Sequence, residues 1–114
     1  MPPDCIFCKI ASGEVKSRIE HEDDDIVVFH DLNPHAPVHL LIIPKKHIGR
    51  LSECSEDDVH LLGKIQLAAK KIAAKLNIEN GFRLVTNNGR NAGQSVDHIH
   101  YHLLGGRRMN WPPG

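Results

Sequence analysis

The segment His98-Ile99-His100-Tyr101-His102-Leu103-Leu104 places three histidines at every second position, with apolar residues between them. Alternate side chains of an extended strand share a face. The spacing therefore predicts three imidazoles on one surface and Ile99, Tyr101 and Leu103 on the other. Imidazole titrates near neutrality and can serve as nucleophile, proton donor, proton acceptor or metal ligand. Just before it runs Asn87-Asn88-Gly89-Arg90-Asn91-Ala92-Gly93-Gln94-Ser95. Glycines let main-chain N–H groups turn toward one point, and Asn, Gln and Ser add neutral donors, which is how a backbone cradles phosphate. The same composition also suits a solvent turn. Set directly before three aligned histidines, it points to attack on phosphorus through a histidine-linked intermediate.

A second cluster begins the chain. Cys5-Ile6-Phe7-Cys8 is a pair of thiols at chelating spacing, and a closed Zn²⁺ site needs two further nitrogen or sulfur ligands. A redox role finds less support, because no strand precedes the pair to build a thioredoxin-like unit. Cys54 reads as a plain thiol, and His21, His35 and His60 as surface or capping residues.

The elements that must hold these groups follow from periodicity. Phe7 to Ala11 predicts a short helix ended by Ser12-Gly13. Arg18 to His21 and Ile26 to Asp31 read as strands around the acidic turn Asp23-Asp24-Asp25. His39 to Ile43 is a short apolar run stopped by Pro44, a buried strand. Ser55 is a good N-cap for a long helix from Glu56 to Leu76. Its first-turn acids suit the helix dipole, and Val59, Leu62, Ile65, Ala69, Ile72 and Leu76 form one apolar face. Phe82 to Asn87 alternates as a strand, and Asp97 to Leu104 is the histidine strand. These elements predict an α+β domain with a five-stranded antiparallel sheet covered on one face. All 114 residues form a single domain, with Arg107 to Gly114 as a Pro-rich tail. Trp111, the one Trp of the chain, is either an idle surface indole or an anchor onto another subunit.

Fourteen basic and fourteen acidic residues cancel. Generic nucleic-acid or membrane-surface binding is therefore not expected, since either calls for a basic excess. No apolar stretch is long enough to span a bilayer, and the start Met1-Pro2-Pro3-Asp4 is not a secretory leader. Three cysteines, an odd number, fit a reducing compartment, and a cytoplasmic location is expected.

The His-φ-His-φ-His-φ-φ pattern (φ apolar) resembles the signature of the histidine triad superfamily of nucleotide hydrolases and transferases. Further segments resemble the branch of histidine triad nucleotide-binding proteins: Ile6-Phe7-Cys8-Lys9-Ile10, Phe29-His30-Asp31-Leu32, Ala36-Pro37-Val38-His39, Ile43-Pro44-Lys45-Lys46-His47-Ile48, Gly93-Gln94-Ser95-Val96, Leu104-Gly105-Gly106-Arg107 and Trp111-Pro112-Pro113-Gly114. The resemblance implies a hydrolase of purine nucleoside phosphoramidates and aminoacyl-type adenylates. His100 would attack the α-phosphorus, water would then release the monophosphate, and His102 would donate to a phosphate oxygen. His39 would support the triad by hydrogen bonding, and Ser95 completes the implied catalytic set. Asn87, Gly93, Gln94 (through its backbone) and Ser95 would hold phosphate. Asp31 would accept from the ribose hydroxyls, although after a strand it also reads as a turn residue, and Ile10, Phe29 and Leu32 would line the base pocket.

Relatives carrying the cysteine pair complete a zinc site with the histidines that correspond to His47 and His98, whereas others in the branch lack the cysteines and work without metal. A structural zinc at Cys5, Cys8, His47 and His98 is thus the expectation, with no cofactor needed for the chemistry. A homodimer is implied as well, with two sheets joined, long helices packed together and the Trp111 tail near the partner's site. Two rivals remain: a dinucleoside polyphosphate hydrolase, and a nucleotide-binding or scaffold module with incidental activity. The transferase branch typically carries glutamine where His102 stands. Asp97 replaces the usual aromatic residue before the triad, and its charge either disfavours anionic leaving groups or faces solvent.

Overall fold

The computed structural model describes residues 4–114. Helix α1 spans Ile6–Ser12 and is closed by Gly13, whose φ of 83° is the left-handed conformation that glycine adopts without strain. Strands β1 (Ile19–Glu22), β2 (Ile26–His30) and β3 (Val38–Pro44) follow, then helix α2 (Val59–Lys75), β4 (Phe82–Thr86) and β5 (Tyr101–Gly105). All pairings are antiparallel and the sheet order is β1-β2-β3-β5-β4. This is the α+β architecture that the sequence predicts, one long helix and one short helix on a five-stranded sheet.

The long helix starts as expected but with a tighter first turn. Glu56–Asp58 is 3₁₀, the Ser55 hydroxyl accepts from a main-chain N–H, and the Asp58 carboxylate accepts from the Ser55 N–H. This reciprocal pair satisfies donors that a helix start leaves free. Ile65, Ala68, Ala69, Ile72 and Ala73 bury one helix face against Ile26, Val28, Leu40, Ile42, Tyr101 and Leu103. Each fully buried isoleucine contributes about 2 kcal/mol of apolar transfer. Val59 and Leu67 stay largely exposed on the same helix.

The expectation of a sheet covered on one face needs correction. Ile26 to Phe29 and Leu40 to Ile43 are buried on both sides, as continuous rather than alternating apolar runs demand. Val27, Phe29, Leu41 and Ile43 point away from α2 and pack against Phe7, Ile10 and Ala11 of α1. The short helix covers only part of that face, and the remainder is left for a site.

A second correction concerns the histidine strand. Regular pairing begins at Tyr101, so His98 and His100 lie before the ladder rather than in it. The reason is in the neighbours. Pro44, the last residue of β3, has no N–H to offer, and the Ile99 N–H donates instead to Ile48 O at 2.7 Å. Thr86 ends β4 and donates its hydroxyl to His100 O at 2.9 Å. Among the described residues no helix is long and apolar enough to cross a membrane.

Candidate active site

Ile99, Tyr101 and Leu103 are buried in the α2 core. The intervening histidines face the α1 side. Phe7 meets the His98 ring edge-on at 5.9 Å and the His100 ring at 5.0 Å, and His100 lies 5.1 Å from His102. The predicted sharing of one face thus survives the shorter ladder.

Main-chain groups determine which ring nitrogen carries each proton. A carbonyl oxygen only accepts, so the 2.8 Å contact between His100 Nδ1 and His98 O places the proton on Nδ1. His100 Nε2 is left with its lone pair, the form a nucleophile requires. At His39 the logic runs the other way: the His35 N–H donates to Nδ1 at 3.0 Å, so Nε2 carries the proton. His39 Nε2 lies 2.9 Å from His102 Nδ1 and donates to it, and neutral His102 consequently presents Nε2–H. One histidine offers a lone pair and its neighbour offers a donor. Burial, then the nearby His100 and His39, pushes His102 down to about 4, which keeps it neutral at ordinary pH. Burial also lowers His39, against the opposing pull of Asp31.

The His100 and His102 rings border a cleft of about 310 Å³, a volume suited to a small ligand. Its walls bring together Ile10, Phe29, Asp31, Leu32, Ser95, His100 and His102 from the sequence analysis. Phe7 and Leu41 join them, signalled beforehand only as apolar residues of predicted elements, and so does Val15, which carried no signal in the sequence. Leu32 is 97% exposed, so it stands at the rim. Asp31 is a turn residue at the cleft wall. One carboxylate oxygen accepts from the Asn33 N–H at 2.8 Å as a turn residue, and the other lies 3.4 Å from His39 Nε2.

The Gly-rich loop is arranged differently from a plain cradle. Gln94 is buried, and its amide is fully engaged: Oε1 accepts from the Gly89 N–H at 2.8 Å, and Nε2 donates to Gly49 O at 2.7 Å and Val96 O at 3.0 Å. Its own N–H donates to Gly89 O, and the Gly93 N–H to Arg90 O. Gln94 and Gly93 therefore frame the loop, while Ser95 faces the cleft. Gly93, with φ of 91°, makes the left-handed turn that leads the chain to Ser95. Asn87 lies beyond His102, in a second cavity of about 420 Å³ with His39, Arg83, Arg107 and the tail residues Met109, Pro112 and Pro113. The tail is drawn back over the sheet, with Arg83 donating to Asn110 O at 2.8 Å and sitting 6.0 Å over the Trp111 ring. Asp97 is solvent-facing, 3.7 Å from Arg50.

The four predicted metal ligands converge. Cys5 Sγ is 3.4 Å from His98 Nδ1, Cys8 Sγ is 3.2 Å from His47 Nδ1 and 3.5 Å from His98 Nδ1, and the two ring nitrogens are 3.2 Å apart. A tetrahedral Zn²⁺ with nitrogen and sulfur ligands would have edges of about 3.4–3.8 Å. The donor chemistry fits too. His98 Nε2–H donates to Pro44 O at 2.8 Å, which leaves its Nδ1 lone pair aimed at the thiols. Burial, followed by the adjoining Cys5, pushes the Cys8 thiol up to about 11. A bound cation is what would reverse this and stabilise thiolates. Asp31, His39 and His102 also converge, within 4.8 Å of one another. A cation on His39 Nε2 would require the proton on Nδ1, facing the His35 N–H, so that cluster is a hydrogen-bond relay.

Sequence reasoning missed the main-chain atoms: His35 N–H, Pro44 O and His98 O each set a histidine tautomer. Residue types carry no signal for such roles.

Comparison with known proteins identifies the family. Residues 4–110 match the family model described as scavenger mRNA decapping enzyme C-term binding. An uncharacterized HIT-like protein of Synechocystis is 51% identical over 114 residues, covering 100% of both chains. A 14 kDa zinc-binding protein of Brassica juncea is 46% identical over 113 residues, covering 97% of this chain and 100% of its own. The crystal structure of a HIT family hydrolase from Legionella pneumophila superposes with a TM-score of 0.96 at 51% identity, covering 97% of this chain and 100% of that one. With its histidine row, its sheet and these relatives in agreement, the chain belongs to the histidine triad (HIT) family.

Proposed function

We propose that the protein hydrolyses purine nucleoside phosphoramidates through a nucleotidyl-histidine intermediate. The carrying observation is the complementary wiring of His100 and His102, lone pair beside donor, at one wall of the cleft. His100 Nε2 attacks the α-phosphorus, a phosphorus–nitrogen bond to His100 forms, and the bond to the amine breaks as the amine takes a proton from a water, leaving hydroxide. A second water then attacks phosphorus, gives its proton to that hydroxide and displaces His100. This releases the monophosphate, restores the His100 lone pair and consumes one water overall. His102 Nε2–H donates to a phosphate oxygen, whose charge rises at each transition state. Ile10, Phe29 and Leu32 receive the base, Asp31 accepts from the ribose, and Ser95 faces the phosphate. The HIT family hydrolase of Legionella supports hydrolysis as the reaction class.

Zn²⁺ at Cys5, Cys8, His47 and His98 serves structure, supported by the fit of the four donors and by the zinc-binding relative. A homodimer accords with Val59 and Leu67 exposed along α2 and with Trp111, 82% exposed. A second reading, dinucleoside polyphosphate hydrolysis, draws on Arg83 and Arg107 at the cavity beyond His102, where further phosphates would find cations.

The test is turnover of adenosine phosphoramidate beside diadenosine tetraphosphate, with the wild type and His100→Ala. We expect phosphoramidate turnover to dominate and to fall about a thousandfold or more in the variant, with nucleotide binding retained. Faster hydrolysis of the tetraphosphate would favour the second reading. Binding without turnover of either would leave a nucleotide-binding module.

A further inference from the structure

His39 has one ring proton, one hydrogen-bond acceptor for it in His102, and a more distant oxygen on Asp31. The His35 N–H occupies Nδ1, so the proton is on Nε2. Nε2 lies 2.9 Å from His102 Nδ1 and 3.4 Å from Asp31 Oδ2. A single N–H cannot be aligned with both, and a hydrogen bond weakens steeply when bent. Asp31 Oδ1 is held by the Asn33 N–H, and the residue also borders the nucleotide cleft. Both carboxylate oxygens keep lone pairs for a ligand, and the one facing His39 is where the histidine pair senses a change in the carboxylate's hydrogen bonding.

We infer that Asp31 couples occupancy of the sugar site to the hydrogen bonding of His102. The inference rests on the reading above, in which Asp31 accepts from the ribose. With the sugar site empty, His39 Nε2–H donates to His102 Nδ1 at 2.9 Å, and the Asp31 carboxylate at 3.4 Å pulls the same proton off that line, because a charged oxygen attracts a donor beyond ordinary hydrogen-bond reach. A hydroxyl donating to Asp31 weakens that draw, and the proton then aligns with His102 Nδ1. His102 is locked with Nε2–H toward the phosphate. Without the lock, the other tautomer of His102 turns a lone pair toward phosphate oxygens and repels them. Ribose hydroxyls consequently contribute to the chemical step as well as to binding. In this capacity Asp31 is a positioning residue acting through His39.

The experiment has two arms on the full-length, metal-replete protein. Ring ¹⁵N spectra are compared for the free protein, with adenosine monophosphate, and with 2′,3′-dideoxyadenosine monophosphate. The ribonucleotide is expected to move His102 Nδ1 toward the shift of a hydrogen-bonded acceptor, and the dideoxy nucleotide to leave it near the free value. In the second arm, kcat and KM are measured for adenosine and dideoxyadenosine phosphoramidates. The wild type is expected to lose about fivefold in kcat on the dideoxy substrate, the value of one ordinary hydrogen bond. Asp31→Asn is expected to bring the ratio of the two kcat values near one.

A sugar effect on KM alone, with equal kcat, would overturn the coupling. So would identical ring spectra with the two nucleotides, whether from equal response or from none. Absence of any phosphoramidate turnover would overturn the proposed reaction instead, and the spectral arm would still decide the coupling.

Discussion

The main-chain carbonyl of His98 accepts the Nδ1–H of His100 at 2.8 Å, while the His98 imidazole faces Cys5, Cys8 and His47. One residue thus joins the Cys/His cluster to the proposed nucleophile. Because this segment lies ahead of the β5 ladder, the cluster and the Ile99 contact to Ile48 O hold it where strand pairing does not.

Metal removal should therefore weaken both fold and turnover. Protein purified without added zinc should hold about one equivalent per chain by elemental analysis, consistent with its four donors. Stripping it should lower Tm by at least about 5 °C and reduce kcat more than it raises KM. A Tm unchanged on complete removal would rule out a structural metal at these ligands.

Gln94 supports the loop that presents Ser95. Gln94→Ala would leave Gly49 O, Val96 O and the Gly89 N–H without their side-chain partner. Unpaired buried groups of this kind cost about 1–3 kcal/mol each when water cannot reach them. Chemical denaturation should show a loss near the low end of that range, because the loop can relax toward solvent. KM should rise about tenfold with phosphoramidate substrate as the Ser95 position spreads.

The pair His39 and His102 should make stability pH-dependent. Burial is the main cause of the lowering in both, and in the fold His102 is down to about 4 against an ordinary value of 6.5. As pH falls below 6.5 the unfolded chain binds protons that the folded chain does not, and stability drops. This contribution is fully present above pH 6.5 and is lost progressively as pH falls toward 4. Urea midpoints at pH 7.5 and 4.5 should differ more for the wild type than for His102→Gln, which removes one of the two sites. An equal pH dependence in the two proteins would contradict this origin.

Gly105 marks where β5 is approached by the chain following α2. A Cβ there would lie 2.5 Å from Ile78 Cδ1 and 3.1 Å from Ile78 Cβ, and Ile78 is itself buried. Gly105→Ala should destabilise by about 1–3 kcal/mol through overpacking, measured by urea unfolding, with nucleotide affinity little changed.

Much of this arrangement was legible as pattern. The helical period of Ile65, Ala69 and Ile72 located α2, and Ser55 with its acidic neighbours located its start. The apolar run of β3 predicted a buried strand and β2 read as a strand, but the lack of alternation in both, which means that both faces are covered, conflicts with the expectation of a sheet covered on one face. Strand boundaries near Pro44 were less legible, because the effect of a missing N–H depends on which residue faces it across the sheet. Gln94 was expected to hold phosphate through its backbone, and residue type does not reveal that its N–H donates to Gly89 O while its amide ties the loop together.

The amino-acid sequence by itself determined the inventory and its local order: three histidines sharing a face, a thiol pair four residues from end to end, a Gly-rich loop, and the helix that buries the sheet. These are short-range properties, set by side-chain type and by the two- and 3.6-residue periods of the backbone. Only the tertiary structure decided what each histidine is. Pro44 O, His98 O and His35 N–H come from distant or main-chain positions, and each fixes which nitrogen of one imidazole holds the proton. A neutral imidazole has two tautomers of similar energy, so a single well-placed hydrogen bond chooses between them. Three such choices direct His98 toward the cysteines, His100 to a lone pair in the cleft and His102 to a donor beside it.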